Sequence, residues 1–284
     1  MRKVIFAGLI FLNMLPLGQA GDFSIKFTGG FKYGLFRDVN SGIRGYLGLY
    51  ADSGTYNGGT LIDKTKSLHF VLNYSVDFAL TLNSDYSIGL GVGHIRANKM
   101  SEIIIRYPDE RPEANAIVET TIDAVPIRLS VFRYYTLNRA LSAYFVGGME
   151  IYPTRFRSIN WPAGAGNTLH QNAHSIGLGL LYGAGLEIKA FPHIALVLEA
   201  QGNYAKIGKL KGTLLTEGSS LPYEIKGTLY YWEQAINIGP DFQETYSLLM
   251  IQESAPSGDP YSNVRSAKID FSGFTLTAGV KIFF

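Results

Sequence analysis

Eight separate segments of the chain alternate between apolar and polar residues. Successive side chains of a β-strand point to opposite faces, so a period of two indicates a strand with one apolar and one polar face. In the sixth segment, Ile176, Leu178 and Leu180 alternate with Gly177 and Gly179. The eight segments cover residues 23–36, 68–82, 86–95, 120–135, 141–152, 175–190, 193–204 and 272–284.

The connections between these segments alternate in length. Short connections follow the second, fourth and sixth segments, at 83–85, 136–140 and 191–193, and long ones follow the others, at 37–67, 96–119, 153–174 and 205–267. The sequence therefore predicts an all-β fold, a transmembrane antiparallel up-and-down β-barrel of eight strands with short periplasmic turns and long extracellular loops. A soluble β-sandwich is the alternative, but it does not explain the alternating loop lengths.

The first twenty residues have the order of a secretory signal peptide. Arg2 and Lys3 precede the apolar run VIFAGLIFLNMLPL, and the small residues of GQA precede Gly21. We expect cleavage after Ala20, which divides the chain into a signal peptide, 1–20, and a barrel domain, 21–284. Beyond the signal peptide, no apolar run reaches the ~20 residues of a membrane helix.

Charge and cysteine content exclude several classes of function. Removal of two basic residues with the signal peptide leaves 25 − 2 = 23 Lys and Arg against 23 Asp and Glu, so the remaining chain is formally neutral. It therefore gives no indication of nucleic-acid binding. The absence of cysteine excludes disulfides, thiolate nucleophiles and cysteine-based zinc sites.

Four runs of sequence carry a family resemblance: VPIRLSVFRYY, AYFVGGMEIY, YGAGLEIKAFPHIALVLEA and DFSGFTLTAGVKIFF. They resemble the small eight-stranded outer-membrane β-barrel superfamily, which includes the OmpA transmembrane domain and the OmpW-like and OmpX-like proteins. The likeness is best from about residue 120 onward. It implies location in the cell outer membrane and an assembly signal, read by the barrel-assembly machinery, at Phe284 with Ile282 and Val280 before it.

Nine charged residues fall on the inward phase of the predicted strands: Lys26, Lys32, Asp77, Arg128, Glu150, Glu187, Lys189, Glu199 and Lys281. An eight-stranded barrel is just wide enough for side chains to fill it, and an unpaired buried charge is costly. We therefore predict a paired charge network that plugs the lumen, with a narrow solute or proton path as the alternative. Inward glycines are predicted to make room for bulky neighbours such as Tyr144 and Arg128.

The glycine runs of the chain do not indicate a nucleotide site. The runs IGLGVG, at 88–93, and IGLGLLYGAG, at 176–185, repeat glycine every two residues and do not match G-x-G-x-x-G. We therefore expect the chain to bind no cofactor.

The histidines do not define a metal or catalytic site. His170 and His174 have the spacing of a helical zinc pair, but they fall in a predicted loop without a third ligand. His94 precedes a predicted loop with Ser101 and Glu102, where no catalytic pattern is present. We expect no bound metal and no catalytic residues.

The predicted loops contain residues suited to surface contacts. Arg155, Arg157 and Trp161 in the third loop suit lipopolysaccharide head groups or a protein partner, as does Trp232 in the fourth. The alternative for Trp232 and its neighbours is a small core of extended strands above the membrane.

Together these features predict a monomeric outer-membrane barrel that contacts outer-membrane lipid and lipopolysaccharide, with loops that serve surface interaction or envelope integrity. The resemblance also allows OmpW-like passive transport of small hydrophobic solutes. A lipid-modifying enzyme is a further alternative.

Overall fold

A computed structural model describes residues 23–62, 67–109, 112–162, 167–218, 222–240 and 242–284. The predicted signal peptide lies outside these residues. The described residues form one helix, α1, and fifteen strands: β1 Phe23–Gly34, α1 Arg37–Tyr56, β2 Thr60–Leu61, β3 Phe70–Thr81, β4 Tyr86–Arg106, β5 Ala114–Ala124, β6 Ile127–Thr136, β7 Leu141–Trp161, β8 Thr168–Phe191, β9 Ile194–Ile207, β10 Lys211–Glu217, β11 Tyr223–Gly239, β12 Phe242–Gln252, β13 Tyr261–Ser266, β14 Ile269–Asp270 and β15 Gly273–Phe283.

The fold is all-β, and its antiparallel sheet of fifteen strands closes into a ring. From β1 the pairing runs through β3, β4, β6, β7, β8 and β9 to β15, which pairs with the free edge of β1. β5 precedes β6 in the chain and pairs with the same two neighbours, β4 and β7. The ring has no exposed edge along these strands, and the described strands do not form the two packed sheets of a sandwich.

Short connections join β3 to β4, β6 to β7 and β8 to β9 at the same end of the ring, which we call the turn end. The side chain of Asn83 accepts hydrogen bonds from the N–H groups of Asp85 and Tyr86 at 2.9 and 3.0 Å. Asn138 does the same for Leu141 at 2.9 Å. Asparagine stabilises tight turns by this local bonding. The prediction of tight connections at these three places is confirmed.

The prediction of four long loops at the other end is wrong. The expected loop regions contain α1, the paired ends of β4 and β5, the paired ends of β7 and β8, and the strands β10 to β13. We call this second end the crown: α1, β2, β5, β10–β14 and the adjoining ends of β4, β7, β8 and β9. The strands continue into the crown because they find hydrogen-bonding partners there, although their side-chain pattern changes.

The sheet branches within β8. Its turn-end residues, from Gly179 on, pair with β9, whereas Thr168–His174 pair with β10. From β10 the sheet continues through β11 to β12. Helix α1 packs mainly on β12 and also contacts β4 and β5, so it covers the opening between the two sides of the crown.

The crown has an apolar core. Helix α1 contributes Val39, Ile43 and Leu47, whose spacing of four residues places them on one helical face. The strands contribute Ile95, Ile103, Ile105, Ala116, Val118, Ile122, Phe156, Leu229 and Ile251 among others. No helix among the described residues is both long and apolar enough to cross a membrane.

Polar contacts fix the start of α1. The Asp38 carboxylate, in the first turn, accepts two hydrogen bonds from Arg265 at 2.5 and 2.7 Å and one from the Lys268 N–H at 2.8 Å. The hydrogen bonds between Arg265 and Asp38 raise the pKa of Arg265 above its ordinary value. The Asn40 side chain donates to the Leu68 carbonyl at 2.9 Å and accepts from the Leu68 N–H at 2.7 Å. The helix is thus tied to chain segments on both of its sides.

Two glycines of α1 provide a matched test of its packing. A methyl group at Gly45 would lie 1.9 Å from the backbone oxygen of Ser247 on β12, whereas at Gly48 the nearest atoms are 3.7 Å away in the Tyr246 ring. We expect Gly45→Ala to lower the free energy of unfolding by about 1–3 kcal/mol, because the helix must move away from β12. Gly48→Ala should be neutral or stabilise by up to ~1 kcal/mol through helix propensity.

The measurement is hydrogen exchange of the α1 amides in the purified protein. Faster exchange is expected for Gly45→Ala alone. Equal exchange in the two variants would show that α1 does not pack closely on β12.

Candidate functional site

The interior of the ring near the turn end contains a cluster of buried charges contributed by most of the ring strands. We call it the interior charge cluster, and each member is at most 6% exposed: Lys26, Lys32, Asp77, Arg128, Glu150, Glu187, Glu199 and Lys281. Four cations and four anions make the cluster formally neutral. Balance of this kind is needed because each charge has been removed from bulk water.

Five members of the cluster form a connected series of ion pairs. The Lys26 ammonium lies 2.6 Å from Glu199 and 3.6 Å from Asp77. The Arg128 Nε lies 3.7 Å from Asp77 and 3.5 Å from Glu150. Asp77 therefore lies between the two cations, and the series links β1, β3, β6, β7 and β9 across the lumen.

Uncharged polar side chains complete this series. The hydroxyl of Tyr144 donates to Glu199, and that of Tyr152 donates to Glu150 at 2.5 Å. The Asn203 amide donates to the same Glu150 oxygen at 3.1 Å. A search for charged residues alone misses these groups, although Tyr144, Tyr152 and Asn203 share the inward phase of their strands.

A second ion pair lies nearer the turn end. The Lys281 ammonium is 2.8 Å from Glu187 and donates a hydrogen bond to the Tyr134 hydroxyl at 2.9 Å. Lys32 is buried on β1, six residues along the strand from Lys26. Lys189 does not join the cluster: it is exposed at the end of β8, next to an irregularity in the pairing with β9.

Inward glycines leave space for the cluster, as the sequence predicts. A methyl group at Gly91 would lie 2.0 Å from an Asp77 carboxylate oxygen and 2.7 Å from the Arg128 side chain. A methyl group at Gly185 would lie 2.3 Å from the Tyr144 ring. The prediction that glycine makes room for Arg128 and Tyr144 is confirmed. The glycine runs lie within β4 and β8 and form no phosphate-binding loop.

His170 and His174 lie on β8, so their prediction as loop residues is wrong. Four residues along a strand span about 13 Å, which is too far for both imidazoles to bind one metal ion. The His170 Nε2 instead lies 3.4 Å from a carboxylate oxygen of Glu217. Among the residues that the structure describes, no three His, Asp or Glu side chains are grouped as metal ligands.

His94, Ser101 and Glu102 lie on one continuous strand, β4, so the predicted loop after residue 95 is wrong. Ser101 is buried on the inner face, while His94 and Glu102 lie on the outward phase. Because neighbouring residues of a strand point to opposite faces, the serine does not share a site with the other two.

The arginine and tryptophan candidates also lie on strands. Arg155 is exposed on β7, and an Arg157 guanidinium nitrogen lies 2.9 Å from a carboxylate oxygen of Asp123. Trp161 is half-buried at the end of β7. Trp232 is 4% exposed on β11. It is therefore not a surface residue, and its neighbour Tyr231 belongs to the apolar core of the crown, in agreement with the alternative of a small core of extended strands.

The last residues of the chain lie at the seam of the ring. The Phe284 N–H donates to the Phe23 carbonyl at 2.9 Å, and the two rings lie 5.9 Å apart. Val280 is exposed and Ile282 half-buried on the outward phase of β15, in line with the exposed ring of Phe284. Their role as an assembly signal stays a prediction.

The crown side of the interior is closely packed. A cavity of about 20 Å³ lies between α1 and the inner faces of β5, β7 and β12, lined by Ile43, Tyr46, Thr120, Phe156 and Ser158 among others. This volume is suited to one water molecule.

No protein-family model matches the chain, and no curated protein matches its sequence. Its function is therefore inferred from its own geometry.

Substitutions in the interior charge cluster test how much the pairing of its charges contributes to the stability of the protein. We expect Glu199→Gln to lower the free energy of unfolding by about 3–5 kcal/mol, because it leaves the buried Lys26 ammonium without its closest carboxylate. Lys26→Met should be less harmful in the Glu199→Gln background than alone. Urea unfolding in detergent micelles measures both.

Lys189→Gln is the matched control, since it also removes one charge from the inward phase but at an exposed position. Its effect should be within about 0.5 kcal/mol. Independent, additive effects of the Lys26 and Glu199 substitutions would contradict the pairing.

Proposed function

We propose that this protein is an integral membrane β-barrel of the outer-membrane type, with a filled lumen and a folded crown at the cell surface. Eight strands, β1, β3, β4, β6, β7, β8, β9 and β15, would cross the membrane, with the turn end on the periplasmic side. The crown would serve surface interaction or envelope integrity.

The observation that carries this proposal is a reversal of polarity along continuous strands. On the turn-end part of β7, Met149 points outward and is exposed, while Glu150 points inward and is buried. Farther along the same strand, Arg155 is exposed on the outside and Phe156 is buried inside. The same reversal of polarity occurs on β4, where the crown part of the strand buries Ile95 on its inner face. Around the interior charge cluster the wall is apolar outside and polar or charged inside, whereas on the crown parts of β4 and β7 the inner face contributes to the apolar core.

Water is not a suitable solvent for the turn-end outer surface. Large apolar side chains are exposed there on every ring strand, including Leu129 at 58%, Ile176 at 71% and Leu178 at 65%. A contiguous apolar surface of this extent marks contact with a membrane or another protein. We call this outer surface of exposed apolar side chains the apolar band. Because the apolar band surrounds the ring, a lipid bilayer covers it better than a partner bound on one side.

The height of the band agrees with a bilayer. On β8 the uncharged outward positions run from Ile176 to Ile188, about 40 Å of strand at 3.3 Å per residue. Strands of such barrels tilt by about 40°, which reduces the height to roughly 30 Å. The hydrocarbon core of a typical bilayer is about 30 Å thick.

The filled interior supports an anchoring rather than a conducting role. Paired charges occupy the lumen near the turn end, and the apolar core and α1 occupy the crown end. The described residues of the crown are mostly in α1 and paired strands, so it would offer a shaped surface outside the membrane. These observations favour a membrane-anchored surface protein over passive transport of hydrophobic solutes.

A single substitution tests the membrane-facing band. We expect Leu129→Arg, in the middle of the outward face of β6, to lower stability in lipid vesicles by about 2–4 kcal/mol. Met100→Arg, which is also exposed and outward but lies in the crown, should cost about 0–1 kcal/mol. Urea unfolding from phosphatidylcholine vesicles gives both values. Equal costs at the two positions would count against a bilayer around the band.

Conductance in planar bilayers tests the filled lumen. We expect at most small, infrequent current steps from the inserted protein, because ion pairs and the crown core fill the interior. A steady, large conductance would contradict the anchoring role and favour a transporter.

A further inference from the structure

A row of charged side chains crosses the outer wall at the lower edge of the crown. The strand pairing connects Arg96 on β4 to Asp123 on β5, Asp123 to Arg155 on β7, Arg155 to His174 on β8, and His174 to Lys211 on β10. Directly paired residues of antiparallel strands point to the same face. We call these five residues the cationic row, and four strand spacings give it a length of about 19 Å.

The cationic row lies immediately beside the apolar band. The next outward positions toward the turn end are His94 on β4, Val125 after β5, Pro153 on β7 and Ile176 on β8, and Ile127, Ile151 and Leu178 follow them. Under the proposed function, on which this inference rests, the row therefore lies where hydrocarbon gives way to lipid head groups. Arginine and lysine extend from such positions to reach head groups while their stems contact apolar surface.

The charges of the row are mostly cationic and only partly compensated. Asp123 accepts from Arg157, one row farther into the crown, at 2.9 Å and lies 3.7 Å from Arg96. Arg155 forms no ion pair with a described carboxylate. Its Nε donates to the neutral Asn172 amide oxygen at 2.9 Å, which orients the guanidinium. Lys211 is exposed.

The five residues of the row lie on one side of the ring, and other exposed cations, such as Lys206 over the Tyr204 ring on β9, lie outside it. On the β1, β3 and β15 side, the same edge of the band carries the stacked or edge-packed rings of Tyr33, Phe70 and Phe274. An even ring of cations would indicate a general membrane boundary. A continuous row of directly paired residues across β4, β5, β7, β8 and β10 indicates instead a defined position for an anionic ligand.

We propose that the cationic row binds the phosphate groups of an anionic membrane lipid, with Arg155 and Lys211 as the principal contacts. Arginine presents paired N–H donors that match phosphate oxygens, and lysine adds a mobile point charge. The length of the row accommodates two phosphates. Its position against the apolar band favours a lipid, since the acyl chains would lie on Ile176 and Leu178 while the phosphates meet the row.

Native mass spectrometry of the full chain, refolded in a neutral detergent, tests the proposal. The probes are diphosphorylated lipid A, the same lipid with its phosphates removed, and inorganic phosphate alone. We expect tight binding of diphosphorylated lipid A only. Arg155→Gln combined with Lys211→Gln should weaken that binding roughly tenfold or more, as expected for two cations at an anionic lipid surface.

The control combines Arg106→Gln with Lys226→Gln. Both side chains are exposed, at 66% and 79%, and both belong to the crown but lie away from the apolar band. The control removes the same charge and should bind lipid A as the parent does. The heat-dependent shift of the gel band checks that every variant is folded. If the double variant does not fold, Lys211→Gln alone should weaken binding severalfold.

Equal affinity of the row variant, the control and the parent would overturn the proposal. Equal binding of phosphorylated and phosphate-free lipid would do the same, and so would binding of inorganic phosphate as tight as that of the lipid. Flotation with phosphatidylcholine vesicles separates the two levels of inference. A parent that does not float contradicts the membrane barrel itself, whereas a parent that floats without selective binding contradicts only the cationic row.

Discussion

A closed wall one strand thick gives each side chain only two environments, the lumen or the outside, and the rest of this structure depends on that constraint. The constraint holds because β1 pairs with both β3 and β15, which removes the free edges of the ring. Strand alternation then assigns each residue to one environment. At one level of the wall the inward side chains change from polar to apolar. The same ring therefore encloses a charged interior near the turn end and an apolar interior in the crown.

The two interiors are stabilised by different physical effects. In the crown, apolar burial dominates, and α1 supplies a helical layer that packs on the inner face of the sheet. Near the turn end the outward phase is apolar, and the lumen holds the charged groups together with a small apolar cluster of Phe132, Tyr144, Val146, Leu181 and Val197. The desolvation of the charged groups is offset by mutual pairing, as when Glu199 receives hydrogen bonds from both Lys26 and Tyr144. The register helps to make this burial of charge tolerable, because it places Lys26 opposite Asp77 and Arg128 opposite Glu150.

The reversal of polarity also explains which predictions from the sequence were right. The segments around the turn end were placed within a few residues, because there the outward phase is continuously apolar. The crown strands were predicted as loops because the apolar phase changes face, for example on β7 between Met149 outside and Phe156 inside. Helix α1 had a readable signal in the spacing of Val39, Ile43 and Leu47. The glycines of α1 at positions 42, 45, 48 and 54 lower the helix propensity of this segment, so the helix was not predicted.

The sequence by itself determined which face of each turn-end strand is apolar, where the tight turns fall and which charged residues point inward. The two faces follow from whether a residue occupies an odd or an even position along its own strand, which we call its parity. Only the tertiary structure decided which charges meet. Lys26 and Glu199 are 173 residues apart and pair because β15, which lies between β1 and β9, brings their strands close on the inner wall. The exclusion of Lys189 from the cluster and the alignment of Arg155 with Lys211 were decided in the same way. Parity defines a side chain's direction, but its neighbours depend on register and ring closure, which the sequence of one strand does not contain.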